Sequence, residues 1–138
     1  MIVLDTNVLS EPMRPRPSIK VLDWMRSQPA AMLFTTTITE AEVFFGIAIL
    51  PDSERRRALE SAAATMSTNH MAGRILSFDS AAAREYANLA AARRRSGRPL
   101  SEPDARIAAI ARSRGAVLAT RNIADFTGCA LEIVDPWR

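Results

Sequence analysis

Three carboxylates far apart in the chain, Asp5, Glu42 and Asp104, stand where an acid is out of place. Asp5 ends the apolar run Ile2-Val3-Leu4, which reads as a short buried strand, and Thr6-Asn7 read as the turn into a helix. An acid at the carboxyl end of a first strand lies on the edge where open α/β sheets collect ligands. A cap on the helix starting near Asn7 is the competing role. With Ile38 at zero and about 100° per residue, Glu42 falls near roughly 40°, in the apolar stripe of Ala41, Phe45 and Ile49. Glu40 falls near roughly 200°, toward water. The Thr37-to-Glu40 spacing gives Glu40 a capping-box role and leaves Glu42 without one. In the helix after Ser101, with Ile107 at zero, Asp104 falls near about 60° beside Ala111, and Glu102 near about 220°. A capping box from Ser101 competes for Asp104.

Three anions converging on one sheet edge would repel and raise one another's pKa. A divalent cation cancels that repulsion. Hard oxygen donors without His or Cys select Mg²⁺ or Mn²⁺. Such an ion polarises a phosphodiester, lowers the pKa of a bound water and stabilises a leaving oxygen. The expected chemistry is phosphodiester cleavage.

The elements that must position these acids alternate. Strands are expected near Ile2–Leu4, Leu33–Thr36, Arg74–Phe78, Ala116–Thr120 and Leu131–Val134. A proline-rich loop, Glu11 to Pro17, precedes a helix capped by Ser18. Further helices run from about Ile38 to Leu50, from a cap at Asp52, from Asp79 or Ser80 to Gly97, and from Ser101 to Gly115. Strands separated by helices require right-handed crossovers and a mostly parallel sheet of about five strands. The expected fold class is an α/β, three-layer α/β/α sandwich, with residues 1–138 forming one domain.

Composition narrows the partners. With 138 residues there is room for one core. No run approaches the roughly 20 apolar residues of a membrane span. The N-terminus lacks the charged and apolar regions of a secretion signal. Cys129 is the only cysteine, so no internal disulfide forms, which fits a cytoplasmic protein. His70 is the only histidine, so paired-His schemes have no material. The net charge is +3, and Lys20 is the only lysine among 18 basic residues. An arginine-rich surface suits a polyanion.

With these residues in place, the chain resembles the PIN-domain proteins, in particular the FitB-like branch of the VapC toxin ribonucleases. The resemblance rests on Asp5-Thr6-Asn7-Val8-Leu9-Ser10-Glu11-Pro12, on Ile38-Thr39-Glu40-Ala41-Glu42 ahead of Gly46, and on Ala72-Gly73-Arg74-Ile75-Leu76 before Phe78-Asp79. It continues through Asp104 ahead of Ile107-Ala108-Ala109, Ala119-Thr120-Arg121-Asn122, and Asp135-Pro136-Trp137. It implies a PIN fold and a metal-dependent endoribonuclease with RNA as substrate. It also implies a cognate small DNA-binding antitoxin and assembly as a homodimer or toxin–antitoxin hetero-oligomer. The family's acidic site falls on Asp5, Glu42 and Asp104, and its fourth acid on Asn122, which carries no charge.

Asn122 is expected to cap the following turn, with Asp125 bonding back to it and so held away from a metal. An amide oxygen at Asn122 can still ligate Mg²⁺. Thr6, Asn7 and Thr120 are candidates for hydrogen bonds to the carboxylates or metal-bound water. Arg121 is a candidate phosphate ligand. The runs Arg55-Arg56-Arg57 and Arg93-Arg94-Arg95 spread over about 200° of arc and read mostly as solvated faces. The competing function is a catalytically degenerate PIN domain that binds nucleic acid or a partner, supported by the uncharged Asn122. A phosphoacceptor domain would require a lysine after the last strand. A phosphatase of the aspartate-nucleophile type would require an acid at position 7, where Asn7 stands.

Overall fold

The structure, a computed structural model, describes residues 1–138. Strands β1 (Ile2–Leu4), β2 (Leu33–Thr36), β3 (Ile75–Leu76), β4 (Val117–Ala119) and β5 (Ile133–Val134) form one sheet in the order β3-β2-β1-β4-β5. Every pairing is parallel. The chain moves outward from β1 through β2 to β3, then returns to lay β4 on the other side of β1. The carboxyl ends of β1 and β4 therefore flank the topological switch point, where such sheets leave a crevice.

Helices α1 (Thr6–Ser10), α2 (Ile19–Ser27), α3 (Thr37–Ala48), α4 (Glu54–Thr65), α5 (Ser80–Arg95), α6 (Glu102–Ser113) and α7 (Ile123–Phe126) make the connections. Successive residues of β1 serve opposite faces. Val3 enters the core formed with α5 and α6, through Leu89, Ile107, Ile110 and Leu118. Leu4 enters the other core, with Val8, Leu9, Val21 and Met66. Both are fully buried, and full burial of each such side chain stabilises by roughly 1.5–3 kcal/mol. A mutual burial of this kind from both faces makes β1 a continuous apolar run instead of an alternating one.

Most caps follow the sequence. The Ser18 hydroxyl accepts from Val21 N–H, the Asp79 carboxylate from Ala82 N–H at 2.9 Å, and Gly97 takes the left-handed turn at φ +74°. Two expected caps move. Ser53, not Asp52, caps α4, and Asp52 instead pairs with Arg57 at 3.0 Å. Thr36, not Thr37, caps α3, because the extended backbone of β2 continues through it (φ −128°, ψ 158°) and its hydroxyl accepts from Thr39 N–H. The third strand is also shorter than Arg74–Phe78. Arg74 lies outside the strand, and its guanidinium is committed to the carbonyls of Ala30, Leu33 and His70.

Candidate active site

Asp5 follows β1 directly, and its N–H bonds to the Ala119 carbonyl of β4 at 2.9 Å. Leu4 and Ala119 are in register, so Asp5 and Thr120 emerge side by side at the crevice. Asp5 caps the first helix and also stands at the carboxyl edge of the sheet. Oδ1 accepts from Thr6 N–H at 2.8 Å and caps α1, while Oδ2 accepts from the Thr120 hydroxyl at 2.7 Å. The Thr120 oxygen in turn accepts from Asn122 N–H at 3.1 Å. Asp5 and Thr120 are both buried. Burial pushes the Asp5 carboxyl above its ordinary value, the two hydrogen bonds oppose that, and the charges of Asp104 and Glu42 raise it again. Those two acids thus stand close enough for Asp5 to feel both.

Glu42 arrives by a route different from the one expected. The buried face of α3 is Thr39, Val43 and Ile47, whereas Phe45 and Ile49 are each 66% exposed. The stripe of Ala41, Phe45 and Ile49 does not face the sheet. Glu40, expected in water, is half-buried, and Glu42, expected on the core face, is exposed. The helical angles located an apolar stripe but could not tell a core face from an unpartnered one. Glu42 is held at the site by a single bond from α1. The Thr6 hydroxyl lies 2.8 Å from Glu42 Oε1 and 3.2 Å from Thr39 Oγ1. With one proton, it donates to the carboxylate and accepts from Thr39. Thr39 is fully buried and was missed as a site residue. Its signal was the spacing Thr36-Thr39-Glu42, three residues apart, which lines one helix edge.

Asp104 occupies the first turn of α6, half-buried. Ser101 caps that helix by accepting from Asp104 N–H at 3.3 Å, and no return bond runs from Ser101 N–H to the Asp104 carboxylate, so only half of the expected capping box forms. Burial raises the Asp104 carboxyl, contact with Ser101 lowers it, and the charge of Asp125 raises it. The geometry at the fourth corner differs from the one expected. Asn122 makes no side-chain cap bond, because its backbone (φ −93°, ψ 59°) departs from the extended conformation a cap requires. Only the backbone N–H of Asp125 bonds back, to the Asn122 carbonyl at 3.1 Å. The Asp125 carboxylate is exposed and faces Asp104's field.

As they stand, no three His, Cys, Asp or Glu side chains are grouped closely enough to enclose a metal ion. The acids instead share one edge, each tied to a threonine or serine. As a donor set they suit a hard divalent cation, since all are carboxylates and their repulsion is already felt at Asp5.

Asn7 Oδ1 accepts from Arg121 N–H at 3.4 Å, joining α1 to the segment after β4. The Arg121 guanidinium carbon lies 4.9 Å from the centroid of the Trp137 ring. Of the two arginine runs, Arg93 departs from the solvated reading. It is buried, and it donates to the carbonyls of Arg98 and Thr127. From Thr6 and Glu42 an open groove of about 810 Å³ extends along Pro12, Met13, Val43, Ile47 and Leu59.

Residues 2–126 match the PIN domain family. The chain belongs to the PIN domain family. Among its PIN relatives, "VapC ribonuclease Y4jK" of Sinorhizobium fredii is 39% identical, covering 99% of this chain and 98% of the relative. "Toxin FitB" of Neisseria gonorrhoeae is 34% identical, covering 99% of both. Among solved structures, FitAB bound to an IR36 DNA fragment contains a PIN chain of 33% identity. It superposes with a TM-score of 0.93 over 100% of this chain and 96% of that one. No helix of the present PIN domain is long and apolar enough to cross a membrane.

Proposed function

We propose that this chain is a VapC-type toxin ribonuclease that hydrolyses RNA phosphodiester bonds in the bacterial cytoplasm. The observation that carries the reading is Asp5. It is a buried carboxylate at the β1–β4 switch point, bonded at both oxygens and under the charge of Glu42 and Asp104. Folding such a group costs stability, and its retention makes sense where a cation arrives to offset it. Asp5, Glu42 and Asp104 would hold Mg²⁺ or Mn²⁺, with Asn122 beside them. Such an ion would supply an activated water and would stabilise charge on the phosphate and leaving oxygen.

The protein's own part is orientation. Thr120 and the Thr6 N–H fix the plane of the Asp5 carboxylate, and the Thr6 hydroxyl holds Glu42, backed by Thr39. Asn7 tethers the backbone of Arg121, whose side chain serves the RNA backbone.

The groove beyond Glu42 suits a cognate antitoxin. Its walls are apolar at Met13, Val43, Ile47 and Leu59, and one end is acidic, so an apolar segment ending in a basic side chain fits. The relative FitAB is a complex bound to DNA, which supports a DNA-binding antitoxin for this chain as well. The exposed Phe44, Phe45 and Ile49 of α3 are apolar surface consistent with a homodimer or the hetero-oligomer.

The test is expression of the chain with and without a candidate antitoxin encoded beside it, followed by mapping of RNA ends. Growth arrest that the antitoxin relieves and that Asp5→Asn abolishes is the expected result. A chain that is harmless alone, with Asp5→Asn indistinguishable from it, would overturn the reading.

A further inference from the structure

Arg121 and Trp137 are 16 positions apart in the chain yet stacked, and nothing in the acid cluster accounts for the stack. We propose that Trp137 is a positioning residue for RNA: its ring holds the Arg121 guanidinium one residue beyond Thr120, ready to grip a phosphate. The inference rests on the ribonuclease reading and deepens it.

Three observations converge. Arg121 follows Thr120, the residue bonded to Asp5, and its backbone N–H is fastened to Asn7. Its guanidinium pairs with no carboxylate of this chain, which leaves its charge available. The ring beneath it is anchored. Trp137 packs against the core of Leu4, Val8 and Leu9, and its backbone N–H bonds to Asp135 Oδ1 at 2.9 Å, which fixes the turn that carries the ring. The C-terminal turn thus brings a rigid ring back to the carboxyl edge of the sheet.

The chemistry favours an anion. A cation over a ring face is held by the ring's quadrupole and not through its N–H groups. Those donors remain open, in the planar fork that matches phosphate oxygens. A free arginine must lose several rotamers on binding, and the ring removes part of that loss beforehand.

The experiment is a double-mutant cycle read by anisotropy of a fluorescein-labelled single-stranded oligouridylate in EDTA, where the RNA stays intact. KM is measured in parallel on an RNA that the wild type cuts. Arg121→Gln should weaken binding about tenfold or more and reduce the salt slope by about 0.7. Trp137→Leu should weaken binding about two- to fivefold with the slope unchanged, and the loss should fall on KM rather than kcat. In the Arg121→Gln background the same change at Trp137 should add nothing. If Trp137→Leu loses the fold, the cycle is run with Trp137→Phe, whose weaker ring predicts about a twofold loss that also vanishes without Arg121. Losses that add across the cycle, or a Trp137 variant that binds like wild type, would overturn the stack as a positioning device. Arg121→Gln binding like wild type would overturn the clamp and leave the ribonuclease reading standing. A wild type that neither binds nor cuts any RNA would overturn that reading itself.

Discussion

Replacing Asp5 by Asn separates what the site costs the fold from what it does. The Asp5 carboxyl is raised above 3.8, first by burial and then by Asp104 and Glu42. A folded value above the unfolded one means that the native state binds the proton more tightly. The stability this contributes is complete below pH 3.8 and is lost as pH rises through the folded value. At neutral pH the ionised group is therefore a liability. Asparagine keeps the size and the Oδ1 acceptor for Thr6 N–H, and the Thr120 hydroxyl can rotate to accept from the amide. Without metal, Asp5→Asn should melt at or above the wild-type temperature. With Mn²⁺ at about a hundred times its Kd, the wild type should gain about 2.7 kcal/mol. For 138 residues that is on the order of 9 °C. The variant should gain almost none of it. Thermal melts with and without Mn²⁺, repeated at acid and neutral pH, provide the assay. A metal-free melt several degrees below wild type would mean that the hydrogen bonds outweigh the burial cost. A retained Mn²⁺ shift would remove Asp5 from the ligand set.

Glu42→Gln should lower cleavage on the order of a hundredfold while Glu40→Gln leaves it intact, and equal losses in a fluorogenic RNA assay would refute the assignment. Thr120→Val strands a buried carboxylate oxygen and should cost about 1–3 kcal/mol in denaturant melts. Thr6→Val removes the exposed bond to Glu42 and also strands the buried Thr39 hydroxyl, so it should cost about 1–3 kcal/mol and slow cleavage about tenfold; cleavage at the wild-type rate would contradict this. Asn122→Asp should tighten Mn²⁺ binding by calorimetry. Asp125→Asn should leave the melting temperature unchanged, because no cap depends on its carboxylate, and should alter Mn²⁺ affinity by less than about threefold. A tenfold loss would place Asp125 among the ligands.

The sheet was legible because β1 and β4 are apolar runs and β2 is aromatic and β-branched, each between helices, and the crossover rule then forces parallel pairing. Asp5 was legible from its place after β1. Glu42 was selected for a reason the fold does not support. Its helix has two apolar faces, Val43–Ile47 toward the core and Phe45–Ile49 toward solvent, and periodicity weights them alike. The deciding contact, Thr6 to Glu42, joins residues 36 apart and leaves no trace in local spacing. The same limit hid the Arg121–Trp137 stack. At the fourth corner, the Asn-x-x-Asp spacing suggested a capped turn. The backbone of Asn122 does not adopt the required conformation, and spacing alone carries no dihedral.

The central claim is that one carboxylate cluster holds the ion that cuts RNA. Its most direct test is the single-turnover cleavage rate of purified wild type and Asp104→Asn as Mn²⁺ is titrated in from EDTA. No wild-type cleavage in EDTA, a saturable rise with Mn²⁺, and a rate lower by on the order of a hundredfold or more in Asp104→Asn are predicted. Wild-type cleavage that persists at full rate in EDTA, or Asp104→Asn cutting as fast as wild type, would contradict it.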